Sequence, residues 1–459
     1  LSLLAYFFSE DFFQAKILVA TMRPIAASNQ AKSFSKKSPS SQCNSSDKIP
    51  LAHSQKRIKL MAHENFCIKG KPQPSVEVQL EKPSIGFVRR GYSATGGAEA
   101  YLKRLAEGLL ERGYRVLLLG TGEWPSELWP GGEVIVLPNS SLHFFSKAVL
   151  ECKKKEKIDL LFSLERVPGV DIFRAGDGLH TAWLKRRKKR EPAWKSLLSS
   201  WMPRHREIVR MERELFSPQS ATVVIANSAM VAQEIREHFS FPQQQLKVIP
   251  NGVPLFDPLS SKERDAAREV LGMKKGELAL LFVGSGWKRK GVEVAIRAVE
   301  QLALEGKSDS KMQLWVAGKG PSHQYRSKVV HFLGPVKKME LLYAASDLFI
   351  LPTLYDPFAN ATLEALVMGL PVITTSANGC SELIEEGVHG SVIQDPNNVQ
   401  AFSVALAWWQ KRLLSQEALQ IRDACRKRGA SFTMEHNLNQ TIEVMDEVLA
   451  KHLPEERSP

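Results

Sequence analysis

From Ser84 onward, short apolar runs alternate with amphipathic stretches. Ile85–Val88, Arg115–Leu119, Val134–Leu137, Ile158–Ser163 and Val170–Phe173 have the length and apolar content of strands covered on both faces. Ala98–Arg112 carries a helical period and stops at Gly113. After Pro250-Asn251-Gly252-Val253-Pro254 the alternation restarts, with strands at Leu278–Val283, Gln313–Ala317, Val329–Phe332, Leu348–Leu351 and Val372–Thr374. Helices at Val292–Leu304, Lys338–Ala344 and Ala361–Met368 lie between them. Such alternation is the pattern of parallel sheets with helices on their faces. The chain therefore reads as α/β, with one parallel-sheet unit over residues 83–253 and a second over 254–433, facing a cleft. Met434–His452 is a last helix with no strand to follow, so the segment 434–459 is expected to return and pack on the first unit. Residues 1–82 show neither period and read as a disordered basic extension. Met22 and Met61 are candidate natural starts within it. A leader peptide is the other reading of its Phe-rich opening, which Glu10 and Asp11 interrupt.

Charge changes this picture by its placement. The chain has 459 residues with 62 basic and 49 acidic side chains, a net charge of +13. Residues 1–82 hold twelve Lys/Arg against six Asp/Glu, residues 179–216 hold eleven against four, and the remainder balances. Two basic blocks on a neutral body point to a tail and one attachment patch, not to general nucleic-acid affinity. The five cysteines are odd in number, far apart and form no Cys-x-x-Cys, which argues against a disulfide framework or zinc site and for a reducing compartment. No run of eighteen apolar residues occurs.

The glycines exclude two familiar chemistries. A dinucleotide fold needs Gly-x-Gly-x-x-Gly after its first strand, but here Arg89-Arg90-Gly91-Tyr92-Ser93-Ala94-Thr95-Gly96-Gly97 follows. Gly284-Ser285-Gly286 continues to Gly291, two positions too far, and no Gly-Lys-Ser/Thr completes a P-loop. What Gly96 and Gly97 do offer is unhindered backbone just before a helix whose first N–H groups lack acceptors, a place for an anion; a plain tight turn uses the same residues. Lys288-Arg289-Lys290-Gly291, read as a loop, puts three cations ahead of a helix N-terminus, and a diphosphate would relieve that conflict; solvated surface charge is the plainer alternative. Asp356 stands after a predicted strand, with Glu364 eight residues on inside a helix and Ala359, Asn360 and Ala361 between them. Amides there could hold a phosphate while the carboxylates accept from flanking hydroxyls, as in a nucleoside diphosphate sugar; exposed helix charges are the alternative.

Taken in order, the Gly-Gly turn, the Lys-Arg-Lys-Gly segment and the acid-x7-Glu segment resemble a GT-B fold glycosyltransferase of family 4 over residues 84–450. Arg166-Val167-Pro168-Gly169-Val170-Asp171-Ile172-Phe173-Arg174-Ala175-Gly176-Asp177 is similar to the lipopolysaccharide core glucosyltransferase I subgroup. The resemblance implies two Rossmann-like domains, with Gly96 and Gly97 beside the donor diphosphate, Arg289 and Lys290 neutralising it, Glu364 on the ribose, and Asp356 and Asp177 near the transferred sugar. It further implies glucose moved from UDP-glucose, with retention, onto a lipopolysaccharide core or other lipid-linked glycan. The implied front-face route has a leaving-phosphate oxygen take the acceptor's proton. Other donors or acceptors, and a non-catalytic sugar-nucleotide or membrane-binding module of the same fold, stay open as alternatives. The family pattern has Glu and Gly where this chain has Asp356 and Ala359, which bears on the sugar contact. Base choice would rest on backbone near Gly334–Val336. The chain contains no Asp-x-Asp, so no cofactor and no metal are expected, with Arg289, Lys290 and helix amides stabilising the leaving group. His180, a lone histidine near Asp177, reads as incidental.

The second basic block carries its own chemistry. Lys185–Arg190 leads into Trp194, Leu197, Leu198 and Trp201, which share one helical face. Cations beside such a stripe suit an anionic membrane, at about 1 kcal/mol per cation. The expectation is peripheral attachment of a cytoplasmic enzyme to the inner face of the cytoplasmic membrane through residues 183–216, with no nucleic-acid partner. A core-packed helix beside solvated charge is the alternative.

Overall fold

The structure is a computed structural model that describes residues 82–92, 97–122, 124–188, 202–257, 260–305 and 311–452. The extension up to residue 81, Gly96, and the stripe of Trp194, Leu197, Leu198 and Trp201 lie outside the described residues.

Two all-parallel sheets organise the chain. The first contains β1 (Ser84–Arg89), β2 (Arg115–Gly120), β3 (Val134–Val136), β4 (Leu160–Ser163), β5 (Ile172–Ala175), β6 (Val223–Ala226) and β7 (Leu246–Val248), in the order β3-β2-β1-β4-β5-β6-β7. Its helices are α1 (Gly97–Glu111), α2 (Leu142–Lys155), α3 (His180–Lys188), α4 (Pro203–Leu215) and α5 (Ala229–Phe239). The second contains β8 (Leu278–Val283), β9 (Met312–Ala317), β10 (Val330–Gly334), β11 (Leu348–Leu351), β12 (Val372–Thr375) and β13 (Gly390–Ile393), in the order β10-β9-β8-β11-β12-β13. With it go α6 (Ser261–Val270), α7 (Trp287–Lys290), α8 (Val292–Leu304), α9 (Met339–Ala345), α10 (Asn360–Val367), α11 (Val399–Leu413), α12 (Ala418–Ala430) and α13 (Met434–His452). Nearly every residue of β1, β8 and β11 is buried, as strands covered on both faces require.

The strand order places the site. β1 pairs with both β2 and β4, and β8 with both β9 and β11, so strand order reverses between β1 and β4 and between β8 and β11. Loops leaving the carboxyl ends of strands at such reversals form the crevices in which open α/β sheets bind ligands. Those loops start at Arg89 and Ser163 in the first sheet and at Val283 and Leu351 in the second.

The last helix returns as expected. Ile442, Val444, Met445, Val448 and Leu449 of α13 join the core cluster of Ile85, Phe87 and Leu102 beneath the first sheet. Each such fully buried side chain contributes about 1.5–3 kcal/mol. Tyr114 Oη donates to Asp446 Oδ1 at 2.6 Å, and Lys247 Nζ lies 2.8 Å from Glu447 Oε2. The second sheet has its own core, centred on Phe282, Phe349, Leu363 and Trp409.

Several sequence expectations shift. Lys288, Arg289 and Lys290 do not form a loop; they lie on the single helical turn α7, bounded by Gly286 at φ 73° and Gly291 at φ 80°. The strand expected at Val170–Phe173 lies two residues later, because Val170 closes a turn on the Val167 carbonyl beside Gly169 at φ 91°. Much of the segment between Leu179 and Pro250, and β13, α11 and α12, carried no sequence expectation.

Candidate active site

In the second sheet, the chain leaves β8 at Gly284, whose φ of 148° and missing Cβ let Lys290 fold back across it; a Cβ there would lie 2.5 Å from Lys290 Cδ. Trp287 fixes this turn. Its indole donates to the Gly284 carbonyl at 2.9 Å and its ring stacks on Phe332 at 5.0 Å. The turn carries Arg289 and Lys290 to the loop after β11. Arg289 Nη1 donates to the Tyr355 carbonyl at 2.6 Å and lies 3.3 Å from Asp356 Oδ2, and Lys290 Nζ lies 3.1 Å from the same oxygen. Both cations chosen from the sequence therefore converge on one carboxylate oxygen of Asp356, which is only 7% exposed.

The helix start beyond Asp356 is held by Asn378, a fully buried side chain that the sequence did not single out. Its Oδ1 accepts from Ala359 N and Cys380 N at 3.1 Å each, and its Nδ2 donates to Thr362 and Thr374 hydroxyls. The Ala359 amide is thus committed within the protein, which corrects its assignment to a free anion-binding amide. Asn360 and Ala361, the first residues of α10, are left to offer their N–H groups. The Asn360 Oδ1 accepts from Asn251 at 2.7 Å. Glu364, on the same helix, accepts at Oε2 from the Tyr343 hydroxyl at 2.7 Å. Burial raises the Glu364 carboxyl above its ordinary value, opposed by the Tyr343 bond and the nearby charge of Lys290.

In the first sheet, Gly97 opens α1, and a Cβ built there meets no atom within 4 Å. Arg89 ties that helix to the loop after β4: it lies 3.1 Å from Glu99 Oε1 and 3.1 Å from Glu165 Oε1. Burial alone would lower the Arg89 guanidinium, but Glu165 and Glu99 outweigh it and raise it further. Asp177 is exposed after β5 and near enough to Arg89 to add to that effect.

Tyr355 brings the two loops together, and sequence reasoning missed it. Its hydroxyl accepts from Leu179 N at 2.9 Å and donates to Glu234 Oε2 at 2.8 Å. Arg186 pairs with Glu234 and lies over the Tyr355 ring at 4.7 Å. Gly178, at φ 64°, makes room, since a Cβ there would collide with the Tyr355 hydroxyl. Ser228 Oγ donates to the Pro357 carbonyl at 2.8 Å, and Glu382 accepts from the first amides of α5 at 2.9 and 2.6 Å. The Asp177-Gly178-Leu179 turn is thereby fastened to the residue next to Asp356. The sequence signal was slight: an aromatic residue beside the acid.

His180 belongs to a different arrangement. Its amide donates to Glu212 Oε1 at 2.6 Å, and its ring stacks on His205 with a nitrogen–nitrogen distance of 2.9 Å. Burial pushes the His180 imidazole down to about 4, assisted by the charge of Arg166 and opposed by Glu212.

Residues 95–255 match the Glycosyltransferase Family 4 description and residues 277–411 match Glycosyl transferases group 1. The chain belongs to the family 4 glycosyltransferases. This glycosyltransferase is 29% identical to an uncharacterized glycosyltransferase of Methanocaldococcus jannaschii over 70% of this chain and 85% of the relative. It is 23% identical to the lipopolysaccharide glucosyltransferase WaaG of Escherichia coli K12, covering 76% of this chain and 95% of the relative. The crystal structure of WaaG, described as involved in lipopolysaccharide biosynthesis, superposes with a TM-score of 0.65 at 21% identity, over 78% of this chain and 99% of the other. Anabaena HepE, solved in complex with UDP-glucose, superposes with a TM-score of 0.60 at 19% identity, over 79% of this chain and 99% of the other. The two sheets and their facing loops are those of the GT-B fold.

Proposed function

We propose that this enzyme transfers glucose from UDP-glucose, with retention, to a lipopolysaccharide core or other lipid-linked glycan, without a metal. The observation that carries the reading is the convergence of Arg289 and Lys290 on Asp356 at the carboxyl ends of β8 and β11. The donor and acceptor classes are supported by likeness to WaaG, a lipopolysaccharide glucosyltransferase, and to HepE, solved with UDP-glucose.

In this reading Arg289, Lys290 and the first amides of α10 take the diphosphate, with Gly97 opening α1 on the opposite side. Charge-assisted donors aimed at a leaving group stabilise the charge that develops there. As the C1–O bond to the diphosphate breaks, the acceptor oxygen bonds C1 on the same face and its proton passes to a phosphate oxygen. Glu364 accepts from ribose hydroxyls, while Asp356 and Asp177 orient the sugar. Metal independence is supported by Arg289 and Lys290, cations already placed for the task. Attachment to the inner leaflet through residues 183–216 is supported by Lys185 and Lys188, exposed in the last turn of α3. Among the described residues no helix is long and apolar enough to cross a membrane.

The test is hydrolysis of UDP-, GDP- and ADP-glucose, with and without EDTA. Release of glucose from UDP-glucose alone, undiminished by EDTA, is expected; loss with EDTA, or preference for another base, overturns that part of the reading.

A further inference from the structure

A second cavity, of about 1210 Å³, lies beside the diphosphate turn and between α3 and α8. Lys290, Asp356 and Glu364 do not line it; Arg289 of α7 does, so the cavity adjoins the cleft described above at that residue. Lys288 comes from that turn, Arg297 from α8, Arg326 from the segment before β10 and Arg187 from the last turn of α3. Against them stand only Glu293 and Glu300, both on α8. Among the described residues Lys288, Arg297 and Arg326 form no ion pair. Trp183, Tyr325 and Leu354 complete the wall with apolar surface.

Cations from separate elements repel one another across a shared cavity unless an anion joins them, so the arrangement is matched to a ligand that supplies negative charge. Guanidinium groups present paired donors that fit phosphate oxygens, and a phosphomonoester uses more than one such pair. The aromatic and aliphatic wall fits the C–H face of a pyranose ring, which a bare phosphate would leave uncovered. Arg187 joins the cavity to the basic turn of α3, whose field draws an anionic ligand toward the opening.

We infer that this cavity is a binding site for a phosphate-bearing carbohydrate, beside the donor diphosphate site and meeting it at Arg289, with Lys288, Arg297 and Arg326 holding the phosphate and Trp183 and Tyr325 flanking the sugar. Its place in the reaction, holding a phosphorylated acceptor while its hydroxyl reaches the cleft, rests on the acceptor class proposed above. The binding site itself does not.

Calorimetric titration of the full chain saturated with UDP tests the site apart from the donor cleft. Glucose 6-phosphate is expected to bind, inorganic phosphate to bind more weakly, and glucose not to bind. The double variant Arg297→Gln/Arg326→Gln should lose at least tenfold in glucose 6-phosphate affinity while its UDP affinity stays that of the parent, which also reports that it is folded. Vesicles of phosphatidylglycerol and of phosphatidylcholine form the second arm. Binding of phosphatidylglycerol vesicles that the double variant abolishes, with no response to glucose 6-phosphate, would assign the phosphate to a lipid headgroup and overturn the carbohydrate site. Equal affinity of parent and variant for glucose 6-phosphate, or no binding of any anionic probe, also overturns it. Donor hydrolysis is scored separately, so failure here leaves the proposed transfer reaction standing, and the converse.

Discussion

Replacing Tyr343 by Phe removes one oxygen from a side chain that is 1% exposed and donates to the carboxylate proposed to hold the donor ribose. The phenol is a dependable donor, because burial and the neighbouring Glu364 raise its ionisation well above the ordinary value. Hydrogen bonds to charged groups contribute about 1.5–3 kcal/mol to stability, so the variant should unfold more easily by that order. The effect on donor binding is smaller and separable. Without Tyr343 the Glu364 side chain must be ordered by the ligand, and immobilising such a side chain takes about 0.5–1.5 kcal/mol, roughly a 2- to 12-fold loss of affinity. Calorimetry with UDP and with 2′,3′-dideoxy-UDP reads this directly. Tyr343→Phe should weaken UDP while leaving the dideoxy compound nearly unchanged, and Glu364→Gln should do the same more strongly. Equal losses for both nucleotides in Tyr343→Phe would refute the ordering role. Equal losses in Glu364→Gln would refute the ribose contact itself. The raised Glu364 carboxyl adds a pH signature. Its contribution to stability is complete below the unfolded value near 4.5 and is lost as pH rises through the higher folded one, so Glu364→Gln should gain stability relative to the parent as pH rises above 4.5.

Asp356→Asn takes the shared negative partner from Arg289 and Lys290, so UDP affinity should rise several-fold while transfer falls; weaker UDP binding in calorimetry would contradict this. Lys290→Ala should weaken UDP by about 1.5–3 kcal/mol, and an unchanged dissociation constant would remove Lys290 from the diphosphate site. Tyr355→Phe leaves the buried Leu179 amide without its acceptor and should destabilise the chain by about 1–3 kcal/mol in urea unfolding, with a parallel loss of transfer. His180 sits below its ordinary value, so the stability it contributes is present above pH 6.5 and is lost as pH falls toward about 4; His180→Gln should flatten stability across that window.

What the sequence disclosed is what short-range pattern encodes. The limits of β8 and α8 coincide with the apolar runs at Leu278–Val283 and Val292–Leu304, because those segments have sharp glycine boundaries at Gly284 and Gly291. Arg289, Lys290, Asp356 and Glu364 were legible because their residue types and spacing are local. Their partners were not. Tyr343 is 21 residues from Glu364, and Leu179 is 176 from Tyr355, so only the folded chain shows which polar atoms are already spoken for. The Ala359 amide is the clearest case, since its acceptor, Asn378, lies 19 residues ahead on the far side of β12. The turn α7 was missed for a different reason: four residues are too few to display a helical period, and its cations read as a loop.

The return of α13 to the first sheet means that the polypeptide passes between the sheets twice, once near Val253 and again near Thr433. The two passages run side by side: Val253 bridges Thr433, and the Val253 amide donates to the Phe432 carbonyl at 3.2 Å. Gly252 lies so close to Thr433 that a Cβ there would collide with its carbonyl oxygen. Paired strings at one edge leave a swivel where a lone string would leave a universal joint, so any opening of the jaws is steered along one arc, and a bulkier residue at Gly252 would jam the pivot without touching a reacting group.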